Sequence, residues 1–183
     1  KDLCTIGFLN KMIDAGVRVL KLEGRARSPE YVKTVTQCYS EAVQAIEDGT
    51  YGEEKINAWM ERLSTVFNRG FWNGYYLGQR LGEWSHHYGS VATERKVYCG
   101  KITNYFTKIG VAEILVEATE LHKGDKLLIT GPTTGVVEYT VDDVRVDDQS
   151  VDTVNKGIRC SIASETLLRR SDKVYRIIKA KAE

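Results

Sequence analysis

The hydrophobic spacing of this 183-residue sequence changes period once, near residues 86–91, from a helical three-and-four pattern to strand-like alternation. A chain with that switch folds as a mostly helical segment followed by a β segment, an α+β class with candidate domains at 1–86 and 87–183. In the first part, Ile6, Leu9 and Ile13 recur at helical spacing and stop at Gly16, which predicts a helix over 2–15. A strand is expected over 17–22. Ser28 as N-cap and Pro29 at the first helical position open a second helix, with Val32, Val35, Tyr39, Val43 and Ile46 on one face as far as Gly49. Ile56, Trp59, Met60, Leu63 and Phe67 mark a third helix. Helix, strand, helix, helix is the pattern of the end of an α/β barrel.

From about Tyr88 the pattern becomes β. Val97, Cys99, Lys101 and Thr103 alternate with Tyr98, Gly100 and Ile102, and Ala112, Ile114 and Val116 alternate with their neighbours. Further strands are expected over 126–130, 136–146, 157–164 and 173–178, separated by turn sequences such as His122-Lys123-Gly124-Asp125 and Lys156-Gly157. Short strands with regular turns predict a small closed antiparallel β-barrel.

The chemistry-bearing stretch is LKLEGRARSPEY, residues 20–31. A strand that runs into a charged turn and a capped helix is how α/β barrels place chemistry at a strand's carboxyl end. Alternation puts Val17, Val19, Lys21 and Glu23 on one face and Arg18, Leu20 and Leu22 on the other. Two readings fit: Lys21, Glu23 and Arg25 as a partial catalytic site with Arg27 and Tyr31 binding substrate, or Lys21 and Glu23 as a structural ion pair on a half-exposed strand. The glycine- and aromatic-rich stretch 69–82 reads as an ordered loop. Its Trp72 and Tyr75, with Phe71 and Tyr76, could stack on a planar ligand while Arg69 and Arg80 hold phosphates, or the rings could bury a join between domains. In the final segment Arg169 and Arg170 lead a basic edge with Lys173, Arg176, Lys179 and Lys181. That edge suits RNA phosphates, or is a solvated terminal strand whose lysines discourage edge pairing.

The net charge of +1, from 26 basic and 25 acidic residues, gives no bulk electrostatic pull toward nucleic acid or membrane, and no segment is apolar enough to span a bilayer. Cys4, Cys38, Cys99 and Cys160 are too dispersed for a zinc motif or a disulfide scaffold, so a reduced, cytoplasmic setting is expected. His86-His87 is expected on a linker surface. No serine or cysteine stands beside a histidine in a nucleophile setting, and no HExxH occurs. The first residue is Lys1 and no signal-peptide layout follows it, from which a fragment boundary is expected.

GVRVLKLEGRARSPEYV, with KDLC before it and RGFWNGYYLG after it, resembles the collagenase-like U-32 peptidase family, whose relatives include transfer-RNA hydroxylation proteins. The resemblance implies a peptidase or tRNA-modifying activity in a full-length protein, of which this chain is the C-terminal part, catalytically incomplete alone. It also implies partners: the rest of the family α/β barrel, a transfer RNA or protein substrate, and a second copy in a homo-oligomer, with no membrane. No cofactor is expected in this chain; the family's cysteine-rich signature lies upstream, and Cys4 would be at most the last ligand of an iron–sulfur cluster in the full-length protein. ELHKGDKLLITGPTTGVVEYTVDDV, followed by VNKGIRCSIA and RRSDKVYRI, resembles the second domain of elongation factor Tu, with Gly124, Asp125 and Gly157 as turn residues. The β half is then an accessory substrate- or partner-binding domain, or alternatively the RNA-binding module of a transfer-RNA uridine hydroxylation protein.

Overall fold

In the computed structural model, which describes residues 1–86 and 88–180, contacts divide the chain into Lys1–Glu94 with Ala180, and Arg95–Lys179. The first unit holds β1 (Asp2–Leu3), α1 (Leu9–Asp14), α2 (Pro29–Glu47), α3 (Glu53–Thr65) and β2 (Phe71–Trp72), with β1 and β2 paired in parallel. The helix expected over 2–15 is confined to α1. Asp2 is instead held against Arg69, whose backbone N–H donates to Asp2 Oδ2 at 2.9 Å and whose guanidinium pairs with Oδ1 at 2.5 Å. Ile6 and Leu9 are fully buried, but a turn separates them: the Tyr51 hydroxyl donates to Ile6 O at 2.5 Å and accepts the Leu9 N–H at 3.2 Å. Helical spacing across that turn reflects a shared inward direction rather than one continuous helix.

α2 begins at Pro29 as expected, although Ser28 makes no side-chain cap and only its carbonyl accepts the Val32 N–H, at 3.2 Å. The buried stripe is Cys38, Tyr39, Ala42 and Ala45, one step around the helix from the expected face, and Val32 is 44% exposed. Small residues in that stripe let α3 come close, with Trp59 and Leu63 buried against it. Each large apolar side chain removed from water there stabilises the fold by roughly 1.5–3 kcal/mol.

The strand expected over 17–22 is absent. Residues 17–24 carry no regular structure, and among the described residues no strand pairs with them. A strand needs a neighbour for its N–H and C=O groups, and an alternating pattern cannot supply one.

The second unit is built from β3 (Glu94–Phe106), β4 (Val111–Val116), β5 (Leu121–His122), β6 (Lys126–Gly131), β7 (Gly135–Thr140), β8 (Arg145–Val146), β9 (Gln149–Ser150), β10 (Thr153–Val154), β11 (Arg159–Ala163) and β12 (Lys173–Lys179). Eight of these form one large antiparallel sheet in the order β7-β6-β12-β3-β4-β11-β8-β9, and β5 pairs separately with β10. The sheet has β7 and β9 at its ends, and among the described residues no pairing joins them into the closed barrel expected from sequence. Its core is Cys99, Ile102, Ile114, Leu127, Ile129, Ile162, Leu168 and Val174 with their neighbours. The single strand expected over 136–146 is broken because Val141 and Val144 turn into this core, 1% and 0% exposed, and Val141 bonds to the Gly124–Asp125 turn instead of the sheet. Gly124 and Gly157 are turn residues as expected, at φ of +87° and +90°. Across β3 and β4 the register shifts between Ile102 and Asn104, a bulge in the middle of the sheet.

Candidate functional site

The stretch that carries the candidate chemistry leaves α1 through a backbone cap, with the Val17 N–H donating to Met12 O at 3.1 Å and the Arg18 guanidinium donating to Ile13 O at 3.0 Å. From there it runs without regular structure, Val19 84% and Leu22 37% exposed while Leu20 packs against the core of the unit. Glu23 Oε1 accepts the Arg25 N–H at 2.7 Å, and Gly24 O accepts the Arg27 N–H at 3.0 Å, which closes a tight turn with Ala26 in the left-handed region at φ +59°. That turn delivers the chain to Pro29. Lys21, Glu23 and Arg25 are all exposed. Among the described residues no salt bridge joins Lys21 to Glu23, so the expected structural ion pair does not form; one carboxylate oxygen of Glu23 shapes the turn instead.

Arg27 is anchored. Its guanidinium lies 4.0 Å from the Phe67 ring centroid and 5.7 Å from that of Tyr31. Tyr31 in turn lines a small cavity of about 40 Å³ beside Cys4, Tyr39 and Phe71. In the 69–82 loop Trp72 meets Tyr75 edge-on, centroids 5.2 Å apart at 83°, and Phe8 lies 6.1 Å from Tyr76. Tyr75 and Tyr76 remain about 60% exposed, and Trp84 84%. His86 is exposed, and His87 lies outside the described residues.

Under this surface is a polar cluster that the sequence did not announce. The Tyr39 hydroxyl accepts the Thr5 N–H at 2.9 Å and lies 3.9 Å from Cys4 Sγ, which is itself 3.7 Å from Met60 Sδ. Burial pushes the Tyr39 phenol up to about 12 and raises the Cys4 thiol. Burial likewise raises Cys99, takes Cys38 to about 11 and Cys160 to about 12. All four cysteines are free and buried, so each stays a neutral thiol at pH 7 and none is an activated nucleophile. Cys4 does not fit an iron–sulfur ligand: its sulfur packs into the core against Met60, while a cluster needs a set of thiolates facing one point. Among the described residues no group of three or more His, Cys, Asp or Glu could hold a metal ion, and no helix is long and apolar enough to cross a membrane.

Arg169 and Arg170 lie in the second unit, on the turn before β12 rather than on the strand itself. The turn is pinned from within: Leu168 is 1% exposed, and Asp172, 3% exposed, accepts the Arg169 N–H at 2.8 Å and the Thr134 hydroxyl at 2.5 Å. Ser171, at φ +74°, donates its N–H to Ile102 O at 2.8 Å, and the Ile102 N–H returns to Asp172 O at 2.9 Å. The rest of the expected basic edge disperses. Arg176 pairs with Asp125 at 2.7 Å, Lys173 and Lys179 are exposed on β12, and Lys181 lies outside the described residues.

The sequence profile of peptidase family U32 matches residues 1–86. Over 179 residues the chain is 59% identical to a collagenase of Porphyromonas gingivalis, covering 98% of this chain and 43% of that protein. Residues 1–86 are similar to peptidase family U32, and the chain as a whole to collagenases about twice its length. The U32 segment thus contains the whole 20–31 stretch and the aromatic loop, while Arg169 and Arg170 fall outside it. An uncharacterized protease of Methanocaldococcus jannaschii is 33% identical over 96% of this chain and 43% of its own length. A tRNA hydroxylation protein P of Haemophilus influenzae is 29% identical over 64% of this chain and 25% of its own. Against the two collagenases matched, the chain spans 43% and 50% of the relative's length. A solved C-terminal domain of a Geobacillus thermoleovorans protein titled as a U32 peptidase covers 43% of this chain at 14% identity and a TM-score of 0.41, too loose a likeness to bear on the fold.

Proposed function

We propose that this chain is the C-terminal part of a longer U32 protein of collagenase type, in which residues 1–94 form one edge of a catalytic α/β barrel and the sheet, closing as a small barrel, is an accessory binding domain. One observation carries this reading. The stretch 17–24 has no regular structure and no strand partner among the described residues, and most of the exposed large apolar side chains of those residues lie in the same unit, among them Val19, Leu22, Tyr75, Leu81 and Trp84. A soluble domain rarely leaves so much apolar surface uncovered without a partner for it, and the matched relatives are about twice as long. Paired into a sheet by segments of the longer protein, residues 17–22 become the strand their alternation describes, with Lys21 and Glu23 on one face at its carboxyl end.

In that setting the carboxylate of Glu23 accepts a proton from the attacking water, and Lys21 and Arg25 hold the negative charge that develops on the substrate carbonyl. Arg27, Tyr31, Trp72 and Tyr75 position the substrate. An iron–sulfur cluster, where the longer protein has one, is held by residues outside this chain, and the four buried thiols suit a reducing cytoplasm. The test is gelatin cleavage by the 183-residue chain and by the longer protein. The longer protein cleaves and loses activity in Glu23→Ala, while the chain alone is inactive; cleavage by the chain alone that disappears in Glu23→Ala overturns the reading. A second reading, in which the sheet serves an RNA-modifying protein such as the tRNA hydroxylation relatives, is favoured by Arg169 and Arg170, which are exposed and without a carboxylate partner among the described residues.

A further inference from the structure

We infer that the second unit carries a binding groove for the phosphodiester backbone of single-stranded RNA, formed by Arg169 and Arg170 with Arg159, Asn104, Tyr105 and Leu167; this deepens the second reading above by assigning it a site. These residues line one open groove of about 570 Å³, within the size range of ligand sites, roughly 300–1,000 Å³. Three arginines converge on it from two elements, β11 and the turn before β12. Against them stands a single carboxylate, Glu113, which is committed to Arg159 at 2.8 Å and to the Thr103 hydroxyl. Arg159 is therefore half neutralised, and Arg169 and Arg170 present whole guanidinium forks, the geometry that matches phosphate oxygens in pairs.

The groove is held in shape before any ligand arrives. Buried Asp172 fixes the Arg169 backbone, Leu168 anchors the turn in the core, and Ser171 and Asp172 are bonded to Ile102 on β3. At that same point the bulge between Ile102 and Asn104 turns the exposed Asn104 into the groove wall. The Tyr105 hydroxyl donates to Ser164 O at 2.8 Å, which fixes the ring as part of the floor, and Leu167, 46% exposed, adds an apolar surface beside the guanidiniums. Charge on the walls and an apolar floor suit a sugar–phosphate chain with an unstacked base. An acidic peptide would use the arginines and leave that floor idle.

The test is anisotropy of a fluorescein-labelled single-stranded RNA oligomer titrated with the full chain. Two free guanidiniums predict a log–log salt slope of about −1.4, hence a loss of affinity of about sevenfold between about 50 mM and about 200 mM salt. The double charge reversal Arg169→Glu with Arg170→Glu lowers affinity more than about tenfold and flattens that slope, whereas Lys123→Glu, outside the groove lining, leaves both unchanged. Far-UV circular dichroism confirms that each variant is folded. Failure to bind RNA at low salt, an equal effect of Lys123→Glu, or displacement of the RNA by polyglutamate of the same length as readily as by unlabelled RNA overturns the inference. Inorganic phosphate that competes only at high millimolar concentration supports a backbone ligand, and tight competition by phosphate alone overturns it. None of these results touches the gelatin assay, so the groove and the U32 edge fail separately.

Discussion

Replacing Asp172 should loosen the second unit more than any other single polar change. Its carboxylate is 3% exposed and takes two donors on one oxygen, the Arg169 N–H at 2.8 Å and the Thr134 hydroxyl at 2.5 Å. Hydrogen bonds to a charged acceptor contribute roughly 1.5–3 kcal/mol each. Exposure of the Arg169 residue lets water recover part of its loss, so Asp172→Ala is expected near the lower sum, about 3 kcal/mol. Asp172→Asn can keep both donors on its amide oxygen as neutral bonds and should cost about half as much, ~1.5 kcal/mol. In urea, with a slope of about 1–3 kcal/mol per molar, the alanine variant shifts the midpoint down by about 1–3 M. Far-UV circular dichroism follows the transition, because Trp59, Trp72 and Trp84 all lie in the other unit and their fluorescence does not report on the sheet. Amide exchange at Arg169 should accelerate in parallel. An alanine variant within about 0.5 kcal/mol of the parent protein, or an asparagine variant as damaging as alanine, refutes the claim that this carboxylate pins the turn.

Three more perturbations have definite expected outcomes. Gly100→Ala places a methyl group 2.0 Å from the Leu115 carbonyl oxygen across β3 and β4, so thermal denaturation should show a loss of about 2–3 kcal/mol or more. Tyr51→Phe removes the hydroxyl that joins Ile6 O to the Leu9 N–H; tryptophan fluorescence in urea should report a loss of about 1–2 kcal/mol, with Trp59 as a neighbour at 6.0 Å. The Arg62 guanidinium, donating to Glu41, holds its carboxyl below the usual carboxylate range, with the Trp59 indole N–H adding to the effect. A depressed folded value means that the pair's stabilisation is complete above the unfolded carboxylate value and is lost as pH falls through the folded one. Acid titration of Glu41→Gln should therefore show a shallower loss of stability, by about 0.5 kcal/mol at this half-exposed pair.

The helices α2 and α3 were legible because each buries one continuous stripe, and the turn glycines because only a turn needs them. The error at residues 2–15 has a physical origin: inward-facing residues either side of a turn can imitate helical spacing, and the Tyr51 hydroxyl that fixes the turn lies far away in sequence. The strand at 17–22 could be read as a pattern but not as a structure, since pairing depends on a neighbour that the pattern does not contain. Val141 continues the alternation of Val137 and Tyr139 while Val144 falls out of phase with it, and the core takes both out of the sheet. Of the candidate site residues, Lys21, Glu23 and Arg25 could be picked out by charge beside an apolar run. Glu113, Arg159, Asn104 and Tyr105 could not, because strand order alone brings them beside Arg169 and Arg170. The one local signal was the Arg169-Arg170-Ser171-Asp172 sequence itself, a charged pair followed by two turn-forming residues.

Amide hydrogen exchange at residues 18–24, compared between the 183-residue chain and a longer protein of the kind proposed, separates an unpaired stretch from a barrel strand. An unpaired stretch exchanges at near-unfolded rates, while a strand inside a barrel is protected by orders of magnitude. The account predicts fast exchange in the chain alone and strong protection in the longer protein. Protection already present in the chain, or fast exchange in both, contradicts it.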